Sequence, residues 1–325
     1  PIPAYKKGYS LFSASHLPEK VTVFGVGQRT QDIYNSDILN DILNHTVITR
    51  TFEEITGKDI KHIHQVPVRF AEPEKAVYQK AISEFHEMRG NYFASTGNSR
   101  KDSMMRLIQQ ITLLLRISAA PNTVKEYTGG LPVKIAKVME MLKEMPDQIV
   151  AIGVRHKKVV EAYSAAIREL MPERPLFVVT GDTTTLAQRR KLRKTLKASV
   201  NGILLCTQQS LPSSVNFEFV NKVIIPELHY NNSRMSQFYM RFVRFTSQED
   251  KDIYFVTYLG SIESNQMQMV LAKEKINLFM RGKETDLDEI YNTFGVDYNL
   301  LEAVMRREEN KDGYFEIRWG KQEIS

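Results

Sequence analysis

From residue 133 onward the sequence predicts an α/β fold built on a parallel, doubly wound sheet. Short apolar runs recur at QIVAIGV (148–154), PLFVVTGD (175–182), GILLCT (202–207), NKVIIPEL (221–228) and DIYFVTYL (252–259). They read as buried strands. Helical patterns separate most of them. Strands alternating with helices argue for a parallel sheet covered on both faces.

The elements follow in order. Residues 1–46 are mixed and include FGVGQRT (24–30). Gly25 and Gly27 open like a dinucleotide fingerprint, but the third glycine is missing and a plain turn explains them better. DIKHIHQVPVRF (59–70) alternates apolar and polar residues and reads as a strand. A helix is predicted over 72–90, with acids in its first turn and Gly90 at its end, and a second over 99–121, stopped by Pro121. The polar stretch to TGGLP (128–132) reads as a linker. Helices follow over 133–145, 158–171, 185–197 and 233–245, interleaved with the strands. Beyond about 262 the pattern is again helical, at 262–282 and 286–294.

Composition bounds the function loosely. The 325 residues suggest about two domains. A formal charge of +6 leans mildly toward nucleic acid or nucleotide phosphates. The single cysteine, Cys206, rules out an intrachain disulfide and multi-thiolate zinc. It reads as a buried strand residue, not a nucleophile. A reducing compartment, cytoplasmic or nuclear, is the expectation, without secretion. No apolar run approaches the roughly 18 residues of a membrane span.

Several chemistries are missing. Neither TGKD (56–59) nor TGNSRK (96–101) has the glycine and Gly-Lys-Ser/Thr of a phosphate-binding loop. No H-E-x-x-H or G-x-S-x-G is present, and His62 and His64 on one strand face read as solvated or packing side chains. No metal ligands are assigned.

Five stretches carry what remains. FVVTGDTTT holds Gly181-Asp182-Thr183. GILLCTQQSLPSSVNF holds Cys206-Thr207 and Val215-Asn216-Phe217. VIIPELHYNN ends in Tyr230-Asn231-Asn232. QFYMRFVRF places Gln237, Arg241 and Arg244 at steps of four and three. DIYFVTYLGSIE ends in Gly260-Ser261-Ile262-Glu263. On a continuous helix Gln237, Arg241 and Arg244 fall within about 60° of one another, and Arg234 joins that face. The spacing also fits a solvated polar face above buried phenylalanines.

In order and spacing these stretches resemble the C-terminal half of the Swi/Snf family of superfamily-two helicase-like ATPases. Thr49-Arg50-Thr51 and Leu115-Arg116 to Pro121 are similar to upstream family segments, so the resemblance covers most of residues 45–275. It implies a RecA-like second lobe at 133–272, with a helical insertion at 71–132. Residues 1–70 would be the tail of the first lobe with a linker, and 273–325 a C-terminal helical extension. It implies that Arg244 is an arginine finger, with Arg241 its partner and Gln237 orienting them. Gly181, Asp182 and Asn216 would face the nucleotide. Thr207, Ser210, Tyr230 and Asn231 would contact double-stranded DNA. ATP and magnesium would bind only with the first lobe, which carries the phosphate loop, and the opening on Pro1 fits a segment of a longer protein. This chain would not hydrolyse ATP by itself.

Departures mark a divergent member, of viral or phage kind, or one that has lost catalysis. The glycines before Asn216 are replaced, Val243 stands where the family has His, and Thr246-Ser247 stand where it has Gly-Gln. The alternative expectation is a non-catalytic DNA-binding or protein-docking module.

Overall fold

The computed structural model describes residues 60–94, 97–181, 185–211, 216–229, 232–244 and 246–263. It also describes 9–16, 20–23, 27–30, 308–309, 315–316 and isolated positions between 34 and 58. By packing the chain divides into two units, Pro1–Thr51 with Ala272–Thr293, and Phe52–Leu271 with Phe294–Ser325.

In the first unit α1 (Tyr9–His16) precedes an antiparallel hairpin of β1 (Lys20–Val23) and β2 (Gly27–Thr30), with Lys20 opposite Thr30. Gly27 opens a strand, not a helix. A dinucleotide turn needs a helix N-terminus there to meet the pyrophosphate, so the plain-turn reading stands.

The second unit holds the sheet. Its strands are β3 (Lys61–Val68), β4 (Val150–Val154), β5 (Leu176–Val179), β6 (Ile203–Thr207), β7 (Lys222–Ile225) and β8 (Lys251–Tyr258). All pair in parallel, in the spatial order β3-β8-β7-β4-β6-β5. Side-chain alternation assigns the two faces. Val150, Ile152, Val154, Ile203, Leu205, Ile224, Val256 and Tyr258 pack with α4 (Val133–Glu144) and α5 (Lys157–Leu170). Ala151, Leu204, Cys206, Val223, Ile225, Ile253 and Phe255 pack with α6 (Leu186–Ala198) and α7 (Asn232–Tyr239). β4 and β6 are buried at every position, which their continuous apolar runs require.

Before the sheet, α2 (Glu72–Ala94) and α3 (Gly97–Ala119) form a helical pair with Phe85, Leu114 and Ile117 in its core. Glu74 reaches back to the Ala71 N–H at 2.7 Å, satisfying an orphan donor at the helix start. Gly90 does not stop α2. A helix interior tolerates glycine at a cost of about 1 kcal/mol. α3 ends two residues before Pro121, as expected, and a short 3₁₀ turn follows.

The predicted helix over 233–245 is shorter in the structure. α7 ends at Tyr239, and the chain continues in tight turns, Arg241 N–H to Phe238 O at 3.1 Å and Phe242 N–H to Tyr239 O at 3.0 Å. The predicted helices beyond residue 263 lie outside the described residues. Within 273–325 those residues form a small antiparallel pair, β9 (Glu308–Glu309) with β10 (Phe315–Glu316).

Candidate functional site

In an open parallel sheet, ligands meet the carboxyl ends of the strands. Here Gln208 organises that edge. Its N–H donates to Val154 O at 2.8 Å, and its side chain donates to Gly153 O at 3.2 Å and Glu227 O at 2.6 Å. One side chain thus ties the ends of β4 and β6 to the segment leaving β7.

Thr207 ends β6, and Ser210 lies in the turn that follows. Their hydroxyls hydrogen-bond to each other, and both side chains are largely buried. Gly181, at the end of β5, is their neighbour, since a Cβ there would stand 3.6 Å from Ser210 Oγ. Asn216 is exposed, and its carbonyl accepts from Arg193 Nε at 2.5 Å. Asp182, Tyr230 and Asn231 lie outside the described residues.

Arg241 and Arg244 come together beyond the end of α7. The Arg241 carbonyl accepts the Phe217 N–H at 3.3 Å, binding the turn to the loop after β6. The Arg241 guanidinium is held below its ordinary pKa, first by burial and then by the Arg244 charge, and it lies within electrostatic reach of Cys206 at the end of β6. Both side chains are half-buried, and neither Nε has a partner among the described residues. No carboxylate among those residues forms an ion pair with either arginine. Gln237 is exposed on α7. The helix ends between it and the arginines, so the common helical face expected from the spacing does not form. Burial of Cys206 pushes its thiol pKa up, which fits an inert core residue and not a nucleophile.

Two arrangements were not found from the sequence. Glu227, two residues after β7, is buried and accepts the backbone N–H groups of Arg155 at 2.6 Å and His156 at 3.2 Å, together with His156 Nδ1. Lys134 is buried on α4 and donates to Glu263 and to Pro226 O at 3.1 Å. Glu74 accepts the Val133 N–H at 2.6 Å and the Tyr258 hydroxyl at 3.0 Å. A signal existed for Lys134, which stands on the apolar stripe of its helix, four residues before Val138 and eight before Leu142.

The residues present fit a phosphate better than a metal. Half-buried guanidinium groups without an acid partner suit a polyanion. Among the described residues no three carboxylate, His or Cys side chains converge to hold a cation, and no helix is long and apolar enough to cross a membrane.

No protein-family model and no curated protein matches the chain. Solved structures do match its fold. The C-terminal part of the Fun30 ATPase domain is 15% identical, with a TM-score of 0.53, over 71% of this chain and 92% of that one. The Sulfolobus solfataricus SWI2/SNF2 ATPase C-terminal domain is 14% identical, with a TM-score of 0.53, over 71% and 96%. The Sulfolobus solfataricus SWI2/SNF2 ATPase core in complex with dsDNA is 17% identical, with a TM-score of 0.55, over 89% of this chain and 61% of that one. The chain therefore spans about three fifths of that core. At these identities the likeness is one of fold: a RecA-like α/β lobe with the architecture of SWI2/SNF2 ATPase C-terminal domains.

Proposed function

We propose that this chain is the second lobe of an ATP-driven double-stranded DNA translocase and that Arg244, with Arg241 beside it, acts on a nucleotide held by a first lobe. The observation that carries the reading is the arginine pair itself. Two guanidinium groups lie within electrostatic reach of each other beyond α7, repel each other, and have no acid partner among the described residues. A fold keeps such a cluster at a cost unless an anion completes it. Phosphoryl transfer spreads negative charge over the oxygens of the group in transit, and a guanidinium delivered from a facing lobe stabilises that charge.

ATP is the substrate on this reading, and its magnesium would be held with the first lobe, where the family that the sequence resembles carries its phosphate loop. Delivery of Arg244 depends on the two lobes closing, which couples hydrolysis to movement along the duplex. The likeness to a SWI2/SNF2 core solved with dsDNA supports the duplex as partner.

The test is steady-state turnover with DNA in a protein that restores the first lobe. Arg244→Ala is expected to lower turnover by roughly 10³-fold or more while leaving ATP binding nearly intact. Unchanged turnover removes the finger assignment. One observation favours the non-catalytic alternative: Val243, at the family's His position, is packed in the apolar core and offers no polar contact. Absence of DNA-stimulated turnover in the two-lobed wild type would establish that alternative.

A further inference from the structure

The charge of this chain is concentrated in one place. Residues 183–217 contain six basic side chains and no acidic one, and six is also the formal net charge of the whole chain. The remaining 290 residues balance 38 Lys and Arg against 38 Asp and Glu. All six lie on α6, as Arg189, Arg190, Lys191, Arg193, Lys194 and Lys197.

The sequence suggests a ring of charge around the helix, but the packing resolves it into a stripe. Leu196 is fully buried and Leu192 packs beside it, which fixes the inner face of α6. At 100° per residue Arg190, Arg193, Lys194 and Lys197 then span about 100° of the outer surface. Arg190, Lys194 and Lys197 are exposed, and neither Arg190 nor Lys194 has a partner among the described residues. Arg193 and Lys197 lie over the Phe219 ring at 5.6 and 5.9 Å, and Arg193 also meets Glu218 and Asn216 O. The stripe is thus fixed against the loop after β6. A Thr185–Gln188 capping box holds the start of the helix.

The arrangement is unfavourable for the helix by itself. Arg190–Lys194 and Arg193–Lys197 are like charges four residues apart, and the first turn carries no acid to complement the helix dipole. A regular polyanion offsets that repulsion. Arg190 to Lys197 extends about 10.5 Å along the axis, and duplex DNA carries one negative charge per roughly 1.7 Å. The stripe has no exposed apolar anchor, and lysine is depleted from the cores of protein interfaces. Both facts favour a phosphate backbone over an acidic protein.

We propose that the outer stripe of α6 is an accessory contact to the duplex phosphate backbone that strengthens binding without reading sequence. It rests on the reading of double-stranded DNA as partner, and it is independent of the arginine finger.

The experiment is fluorescence anisotropy of the full chain with a random-sequence duplex of about 20 base pairs across a salt series. Arg190→Ala/Lys194→Ala is compared with Lys143→Ala/Arg168→Ala, which removes the same charge from helices on the opposite face of the sheet. Loss of two phosphate contacts makes the slope of log affinity against log salt shallower by about 1.8. The wild type then loses about tenfold more affinity than the α6 variant between roughly 50 and 200 mM salt. The control keeps the wild-type slope. An unchanged slope in the α6 variant, or an equal change in both variants, overturns the inference and leaves the duplex reading standing. No binding by the wild type at low salt overturns both.

Discussion

A single buried ammonium shows how the core carries charge. Lys134 and Glu263 are almost wholly buried and paired, and the Lys134 ammonium also stands 4.7 Å from the centre of the Tyr258 ring. Burial raises the Glu263 carboxyl to about 7 against the opposing pull of Lys134, and burial lowers the pKa of Lys134. Lys134→Met leaves Glu263 buried without its cation, which costs about 3–5 kcal/mol when the carboxylate is charged. The pH dependence has a definite sign. A carboxyl whose folded-state pKa is raised keeps a proton that the unfolded chain has released, so stability falls as pH rises from the ordinary carboxylate range through that pKa. Without Lys134 the folded-state pKa rises further and the fall steepens. Urea unfolding should therefore show a larger deficit for the variant at pH 8 than at pH 5, and Lys134→Met/Glu263→Leu should recover much of the loss. An equal deficit at both pH values would contradict a charge-based cost.

At the scale of the element, α7 is set by what packs on it. Phe238 and Phe242 meet edge to face at 5.5 Å, and Phe238 lies over β4 at Gly153, where an added Cβ would stand only 2.3 Å from two of its ring carbons. Gly153→Ala is expected to destabilise the fold by about 1–3 kcal/mol through overpacking. Gly153→Ala/Phe238→Leu should regain part of that loss in urea unfolding, whereas additive losses would mean that the two sites do not meet. The same packing explains which parts of the site were legible. The strands could be read because full burial demands apolar runs. The helix over 233–245 was misjudged because its end depends on a distant partner, the Phe217 N–H that takes the Arg241 carbonyl. The Ser247 hydroxyl, accepting from the Arg244 N–H at 3.0 Å, adds a local alternative to the helix. Arg241 and Arg244 lie within electrostatic reach of each other, but not on the continuous helical face that their spacing suggests. Glu227 gave no comparable signal, because its partners, Arg155 and His156, lie about seventy residues earlier.

For the whole molecule, the parallel sheet was legible and its strand order was not. Nothing local tells residues 61–68 that their partner is β8, some 190 residues later, yet the two strands are in register from Lys61 opposite Lys251 to Val68 opposite Tyr258. The ladder extends past both ends, through Lys251 N–H to Ile60 O at 2.6 Å and Leu259 N–H to Val68 O at 2.8 Å. His64 adds a side-chain tie, bonding Asp252 at 2.6 Å and stacking on Tyr254 at 4.7 Å. Pro67 suits an edge, where a missing N–H can face outward. β8 differs, being buried at Ile253, Phe255, Val256 and Tyr258. Removing β3 therefore uncovers a long apolar strand with an open row of backbone donors and acceptors, which is a template for self-association. A chain beginning at Phe52 keeps β3, and one beginning at Ala71 lacks it. The first is expected to unfold in one cooperative transition and to elute as a single species. The second is expected to lose that transition and to aggregate at micromolar concentration. If it instead stays monodisperse with an unchanged unfolding midpoint, β3 is dispensable, and β8 can serve as the edge of a five-stranded sheet.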